Sequence, residues 1–501
     1  MALNFLIQKM SFSFNTSIIK VSSTGGKMMR VGRPLVETLK EFVEKQPTSF
    51  HVPGHKNGMI SGLPKGIQGA LPFDLTELTG LDDFHHPEEA IYEAEQLLAQ
   101  TYGADRSFFL VNGSTVGNLA MIYATCKRNE KVIVQRNAHK SIFHGLQFVG
   151  AKPIYVSPEW DEESRTATHV SLSTLKEVLS IHRDVKAVIL TSPTYYGAVS
   201  KELKEQIALC HELGIPVLVD EAHGAHFTAS RRFPESALDV GADIVVQSAH
   251  KTLPAMTMAS FLHIKSNLVD GERVNRYLRM LQSSSPSYLL LASLDDARHY
   301  VQTYSEVDAN YLLEKRKQWI EALRSISPLQ VIEMDDPLKV LLRVPGYTGF
   351  QLKDALEKHG LYPELADLHQ VLIILPLLKQ GQIFPFADAR FSIKEAVQSL
   401  KTVEKVNVIP TTLKEIQKIS IPEYSFDELE EMKTEWIPYV RAIGKVSASM
   451  VIPYPPGIPL FIPGEKVTVS KLSQLEELIA AGASFQGDHR LEEKLLCVVK
   501  S

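Results

Sequence analysis

The sequence predicts an α/β chain, with a large domain on a mostly parallel sheet and a smaller α+β domain towards the C-terminus. Three observations predict it. Between Phe108 and Ile264, strand-length apolar runs alternate with segments of helical period. The runs are apolar throughout, as strands covered on both faces by crossover helices should be. The chain has 501 residues, more than one ordinary core of about 100–200 residues organises.

The elements follow in order. Residues 1–30 carry apolar Leu3, Phe5, Leu6 and Ile7, but Asn4, Gln8 and Lys9 interrupt them and no small-residue cleavage site follows. The segment fails as a secretory signal and reads as a disordered or non-native extension, upstream of a truer start near Met28 or Met29. An arm spans residues 31–80. In it Pro34 opens a helix marked by Leu35, Leu39 and Val43. The segment 51–58 is too rich in Pro and Gly for regular structure, and the span to Pro72 stays loop-like. The large domain covers residues 81–325. After Pro87 a helix carries Ile91, Ala94, Leu97 and Leu98. Strands are expected at residues 107–111, 132–134, 187–190, 217–219 and 244–246, with helical segments such as 119–124 and 203–213 between them. Residues 326–501 form the smaller domain. A helix over 311–326 leads into it, two strands flank a turn at Asp335-Asp336-Pro337, and a Pro-rich stretch at 452–459 precedes Pro463-Gly464-Glu465.

Composition narrows the function. Hydrophobic residues at 44% and charged ones at 22% allow large cores and argue against extensive disorder. A net charge of -5 without a concentrated basic patch points away from nucleic acid and from an anionic membrane surface. No run approaches the roughly 20 apolar residues of a membrane span. The 3 cysteines, Cys126, Cys210 and Cys497, have no CxxC spacing. They read as incidental thiols of a reducing cytoplasm, not as a disulfide framework or zinc site.

Four stretches carry chemistry. Ser248-Ala249-His250-Lys251 closely follows the run 244–246. An amine desolvated at a strand end loses basicity and becomes a nucleophile toward an aldehyde. Taken alone, Lys251 suits a solvated loop better, and the reading turns on the other motifs. Asp220 ends the run 217–219, where burial is costly without a cationic partner. A protonated pyridinium nitrogen is such a partner, as in pyridoxal phosphate (PLP), where that pair makes the ring an electron sink. A helix cap is the other reading of Asp220. Asn112-Gly113-Ser114-Thr115 joins a strand to a helix and presents backbone N–H groups to a phosphate, unless it is an ordinary capped turn. His139, after the strand 132–134, could stack on a pyridine ring or be merely structural. His223 and His226 lack a third ligand at matching spacing, so no metal site is expected.

Together these motifs make a recognisable set. In order, HVPGHKNG, NGSTVGN, RNAHKS, SPTYYG, VDEAHGAH and SAHK, with YPPGIPLFIPGE near the end, resemble the ornithine/lysine/arginine decarboxylase family of fold-type-I PLP enzymes. The likeness is to the short Gram-positive members, which lack the N-terminal wing domain. It implies a PLP-dependent transferase-like large domain in which Lys251 binds the cofactor, Asp220 pairs with its ring nitrogen and His139 stacks on the ring. Ser114, Thr115 and Ser248 would hold the phosphate, and Ala222 would pack under the cofactor. His250, beside the lysine, is the proton-donor candidate. His223 stands where the long enzymes have an aromatic residue. Ser283, Ser284 and Ser285 match a run that reaches the phosphate of a neighbouring subunit, which implies a homodimer.

The resemblance further implies decarboxylation of arginine, lysine or ornithine to the amine and CO2, in polyamine synthesis or acid resistance. Glu465 is the first candidate for the substrate's distal charge, with Asp82 and Asp83 behind it, which equally suit a solvated turn. An aminotransferase or lyase on the same fold, and a non-catalytic PLP-binding regulator, are the rival readings. The intact Asp–Ser–His–Lys set disfavours the regulator.

Overall fold

The computed structural model describes residues 32–405, 417–454 and 458–500. The extension expected at residues 1–30 lies outside them.

Seven strands dominate the large domain: β1 (Arg106–Leu110), β2 (Lys131–Gln135), β3 (Lys152–Val156), β4 (Ala187–Thr191), β5 (Val217–Asp220), β6 (Ile244–Gln247) and β7 (Ser260–Ile264). With Ile419–Ser420 on the far edge they form an eight-stranded sheet in the order β1-β7-β6-β5-β4-β2-β3. From β6 to β3 every pairing is parallel. Only β7, antiparallel to both β1 and β6, and the Ile419–Ser420 edge depart from this. Because β7 reverses between them, β1 points the same way as β6. The C-terminal ends of β1, β2, β5 and β6 therefore open onto one edge, where open α/β sheets bind ligands.

All five expected strands form, with bounds shifted by one residue or so. Two further strands were not anticipated. In β3, Lys152 and Pro153 break the apolar signature, and in β7 His263 does; tertiary pairing overrides these local signals. Alternate strand residues enter different cores. Ile133, Val188, Val219 and Val245 join one cluster, while Val134, Ile189, Leu218 and Val246 join another. This is the period-2 signature of a sheet covered on both faces. The predicted helices appear as Pro34–Glu44, Ala90–Tyr102, Leu203–Glu212 and Glu306–Arg324, and Ile91, Ala94, Leu97 and Leu98 are all buried.

Beyond residue 325, β8 (Gln330–Glu333), β9 (Lys339–Arg343), β10 (Leu365–Ala366) and β11 (Val371–Ile374) make an antiparallel sheet in the order β8-β9-β11-β10. The first two flank the predicted turn at residues 335–337. After it the chain returns to the main sheet through Ile419–Ser420, then forms two two-stranded sheets around a separate small core of Val451, Phe461, Leu475 and Val498.

The helix Gly113–Thr125 lies tight on the main sheet because Gly117 has no side chain. A Cβ there would fall 2.7 Å from Leu110 Cδ1 and 2.9 Å from Val246 Cγ1. Leu110 can yield, but Val246 is a stiff β-branched residue fixed in a central strand. Gly117→Ala should therefore cost about 1–3 kcal/mol of stability. The check is a urea titration in which the midpoint falls and the slope stays unchanged.

Candidate active site

The loops at the shared edge bring the predicted residues together. Asp220, the last residue of β5, is 2% exposed. Its Oδ2 accepts from Asn118 Nδ2 at 3.0 Å and its Oδ1 from the Ala222 amide at 3.1 Å. Among the described residues no cation lies within ion-pair distance of it. Burial pushes its pKa up, with Lys251 and the two hydrogen bonds pulling the other way. Such a carboxylate is a socket for a charge-bearing donor that the chain does not itself supply.

Lys251 lies in the short helix Ala249–Thr252 after β6. Its Nζ is 3.0 Å from His223 Nε2 and 5.3 Å from the centre of the Tyr195 ring. Desolvation lowers its pKa, opposed by Asp220 and Glu364. Ala222 ties the two strand exits together, its carbonyl accepting from the Ser248 amide at 3.2 Å. His250 is anchored by its own amide on the Ala259 carbonyl, and burial, then Lys251, lowers its ring pKa.

The phosphate candidates meet at the start of the helix Gly113–Thr125. Gly113 takes φ +79°, a left-handed turn that favours glycine. Ser248 Oγ donates to Ser114 Oγ at 2.8 Å, and Thr115 is exposed on the first turn. Two hydroxyls and the free N–H groups of a helix start suit a phosphate. His139 caps the helix Lys140–Val149, its Nδ1 accepting from the Ser141 amide. Ser141 Oγ lies 2.9 Å from that nitrogen and accepts from Asn118 Nδ2 at 2.9 Å, so one amide orients both Asp220 and His139. Burial, then Lys251, drives the His139 pKa down to about 3. The ring stays neutral. The amine, the cation-less acid and the hydroxyl-lined helix start fit PLP.

Other expectations fare differently. Residues 283–285 are exposed, and the Ser283 amide donates to Asn112 Oδ1 at 3.1 Å, which ties the start of this run to the residue before the helix Gly113–Thr125. Glu465 is not a free carboxylate. It is 6% exposed, receives Arg136 through both oxygens at 3.2 and 2.9 Å, and pairs with Lys471 at 2.7 Å. A carboxylate holding two cations has no charge left over for a substrate. Asp82 and Asp83 are turn-forming groups: Asp82 accepts from the amides of Glu88, Glu89 and Ile91, and Asp83 from that of His85.

Sequence reasoning missed Asn118, Tyr195, Glu364 and Lys339. The first two lie inside motifs already singled out. Tyr195 packs 4.3 Å from the His223 ring and donates to Glu364 Oε1 at 2.9 Å. Lys339 had its own signal, a lysine inside the apolar run Leu338 to Leu342. A buried polar floor lies beneath the site. Glu221, pushed up to about 8 by burial, accepts from Gln247 at 2.6 Å, and Gln247 Oε1 lies 3.2 Å from His263 Nε2.

A family model described as Orn/Lys/Arg decarboxylase, major domain, matches residues 33–334, and the C-terminal domain of the same family matches residues 410–487. The uncharacterized protein YaaO of Bacillus subtilis strain 168 is 44% identical over 476 residues, covering 93% of this chain and 98% of that protein. Arginine decarboxylase of the same organism is 34% identical over 490 residues, covering 93% and 98%. Among solved structures, lysine decarboxylase A from Pseudomonas aeruginosa superposes with a TM-score of 0.77 at 21% identity, covering 93% of this chain and 80% of that one, which shows a shared fold.

The floor generates a pH prediction. Burial holds His263 down to about 3, so the folded protein keeps it neutral while the unfolded chain protonates it below about 6.5. The unfolded state then binds more protons, and stability falls as pH drops through that window. Between pH 7 and pH 5 the unfolding free energy should fall by up to about 2 kcal/mol more in the unsubstituted protein than in His263→Gln. Parallel slopes in urea titrations would refute this.

Proposed function

Since the chain belongs to the Orn/Lys/Arg decarboxylase family and is a PLP-dependent amino-acid decarboxylase, we propose that it removes the α-carboxylate of arginine. Lys251 and Asp220 are the centre of the site we assign. The observation that carries this assignment is a buried carboxylate without a cation beside a buried amine of lowered pKa. Arginine is favoured over lysine and ornithine by the relatives: those at 32–34% identity are named arginine decarboxylases, and the lysine decarboxylases stand at 25% or less.

Bound here, PLP supplies an electron sink for the pair left at Cα. Lys251 binds and releases the cofactor's aldehyde through its unprotonated amine. Asp220 would hold a proton at the ring nitrogen, with Asn118 and the Ala222 amide fixing the orientation of its carboxyl. His139 would cover the ring face as a neutral imidazole, adding no charge that would compete with Asp220. Ser114, Thr115, Ser248 and the helix start bind the phosphate, with Ala222 packed below. His250 moves the proton that replaces CO2 at Cα. Ser284 reaches the phosphate of the other subunit in a homodimer, and the reaction runs in the cytoplasm as a source of polyamine precursor or as a consumer of acid.

The distal cation needs a carboxylate. With Glu465 and the Asp82–Asp83 turn committed elsewhere, we assign it to Glu364, an exposed carboxylate whose charge is felt by Lys251, His250 and Lys339.

Three outcomes are expected. Purified protein supplied with PLP and each of arginine, lysine and ornithine should release CO2 and agmatine from arginine fastest; keto-acid product would favour an aminotransferase, and no turnover a regulator. Asp220→Ala should lose at least about a hundredfold in kcat, in the range of an electrostatic group acting on the transition state, and near-normal kcat would assign the ring proton elsewhere. Glu364→Gln should raise KM for arginine about tenfold or more with a smaller change in kcat, which steady-state kinetics will read.

A further inference from the structure

Lys339 lies at the start of β9 and is fully buried, between Leu338 and Val340, which are equally buried. Its stem passes Gly197, where a Cβ would stand 2.6 Å from Lys339 Cγ. Its Nζ reaches His223 Nδ1 at 3.0 Å. On the other side of the same ring, His223 Nε2 is 3.0 Å from Lys251 Nζ. One imidazole thus bridges two lysines, one from each sheet.

Hydrogen-bond counting constrains this bridge. A neutral imidazole has one N–H and one bare nitrogen. It can accept from one ammonium, but the lysine at its N–H must offer a lone pair and so must be a neutral amine. His223 is neutral, because burial, then Lys251 and Lys339, hold its pKa well below the usual range. One of the two lysines is therefore a neutral amine. Asp336 selects which: it lies on the Lys339 side, accepts the Lys339 amide on its carbonyl at 3.0 Å, and pairs through Oδ1 with His226 Nε2 at 3.0 Å. Burial opposes its charge, but His226 and Lys339 keep it ionised.

We propose that Lys339 is a positioning residue: as the ammonium that donates to His223 Nδ1, it keeps the imidazole proton on Nε2 and so holds Lys251 as the neutral amine. The inference rests on the reading that Lys251 is the cofactor lysine. In the step it serves, the Lys251 lone pair forms the C–N bond to the aldehyde carbon, and the carbonyl oxygen leaves as water with the two amine protons. Around Lys251, Asp220 and Glu364 pull its pKa up. His139 and His250 face the bridge as neutral rings, since burial lowers both. Burial and the neighbouring Lys251 lower Lys339 to about 8, against Asp336 and Glu364. The relay through His223 offsets the two carboxylates near Lys251.

The test uses cofactor-free protein. Pyridoxal phosphate is added across pH 6–10, the adduct is trapped with borohydride, and pyridoxylated Lys251 is counted by peptide mass spectrometry. Lys339→Met should move the midpoint of capture up by about one pH unit and slow capture at pH 7 roughly tenfold. Lys339→Arg keeps a permanent cationic donor and should follow the unsubstituted profile up to about pH 8, where Lys339 itself loses its proton. His223→Phe removes the bridge and should shift the midpoint as Lys339→Met does. An unmoved midpoint in Lys339→Met or in His223→Phe overturns the proposal, and so does an arginine variant that behaves like the methionine one. Label on a lysine other than 251 in the unsubstituted protein sinks the cofactor-lysine reading instead.

Discussion

The site depends on one unfavourable placement, the carboxylate of Asp220 inside the sheet edge without a cation to neutralise it. Two hydrogen bonds, from Asn118 and from the Ala222 amide, hold its oxygens but do not cancel its charge. A buried acid in that condition is unstable as an anion and strongly attracts any positively charged donor of the right shape. The neighbouring groups suit that demand. Lys251 has its own pKa lowered, His139 is neutral, and the Ser114 and Ser248 hydroxyls pair on the adjacent loops, so among the described residues no cation stands against Asp220.

Topology makes the placement possible. Parallel pairing from β6 to β3 puts the exits of β5 and β6 side by side, and the reversal at β7 brings the exit of β1 to the same edge. Gly117 then lets the helix after β1 descend onto Val246, two residues before Ser248. The second sheet adds Lys339 and Glu364, so the environment of Lys251 comes from two sheets far apart in sequence.

Much of this was legible in the residues. Runs such as Val217-Leu218-Val219 announce buried parallel strands, and a charged or nucleophilic residue directly behind such a run announces the ligand edge. Lys251, Asp220, Ser114 and His139 were found in that way, and the structure brings them together. What was not legible depended on partners. Glu465, in Pro463-Gly464-Glu465, looked like a carboxylate available to a substrate cation, but Arg136 and Lys471, 329 and 6 residues away in sequence, neutralise it. Asp82, which on sequence suited a substrate carboxylate and a solvated turn equally, is a turn anchor for amides up to ten residues on. β3 and β7 escaped notice because Pro153 and His263 interrupt strands whose place is set by pairing and by burial in the two cores.

The claim that Asp220 keeps the cofactor ring protonated can be read without turnover. Pyridoxal phosphate labelled with 15N in the ring, bound to the protein, should give the chemical shift of a protonated pyridinium at neutral pH. In Asp220→Ala the same nitrogen should shift to the unprotonated position while the cofactor stays attached to Lys251. A protonated nitrogen in both proteins, or in neither, would contradict the account.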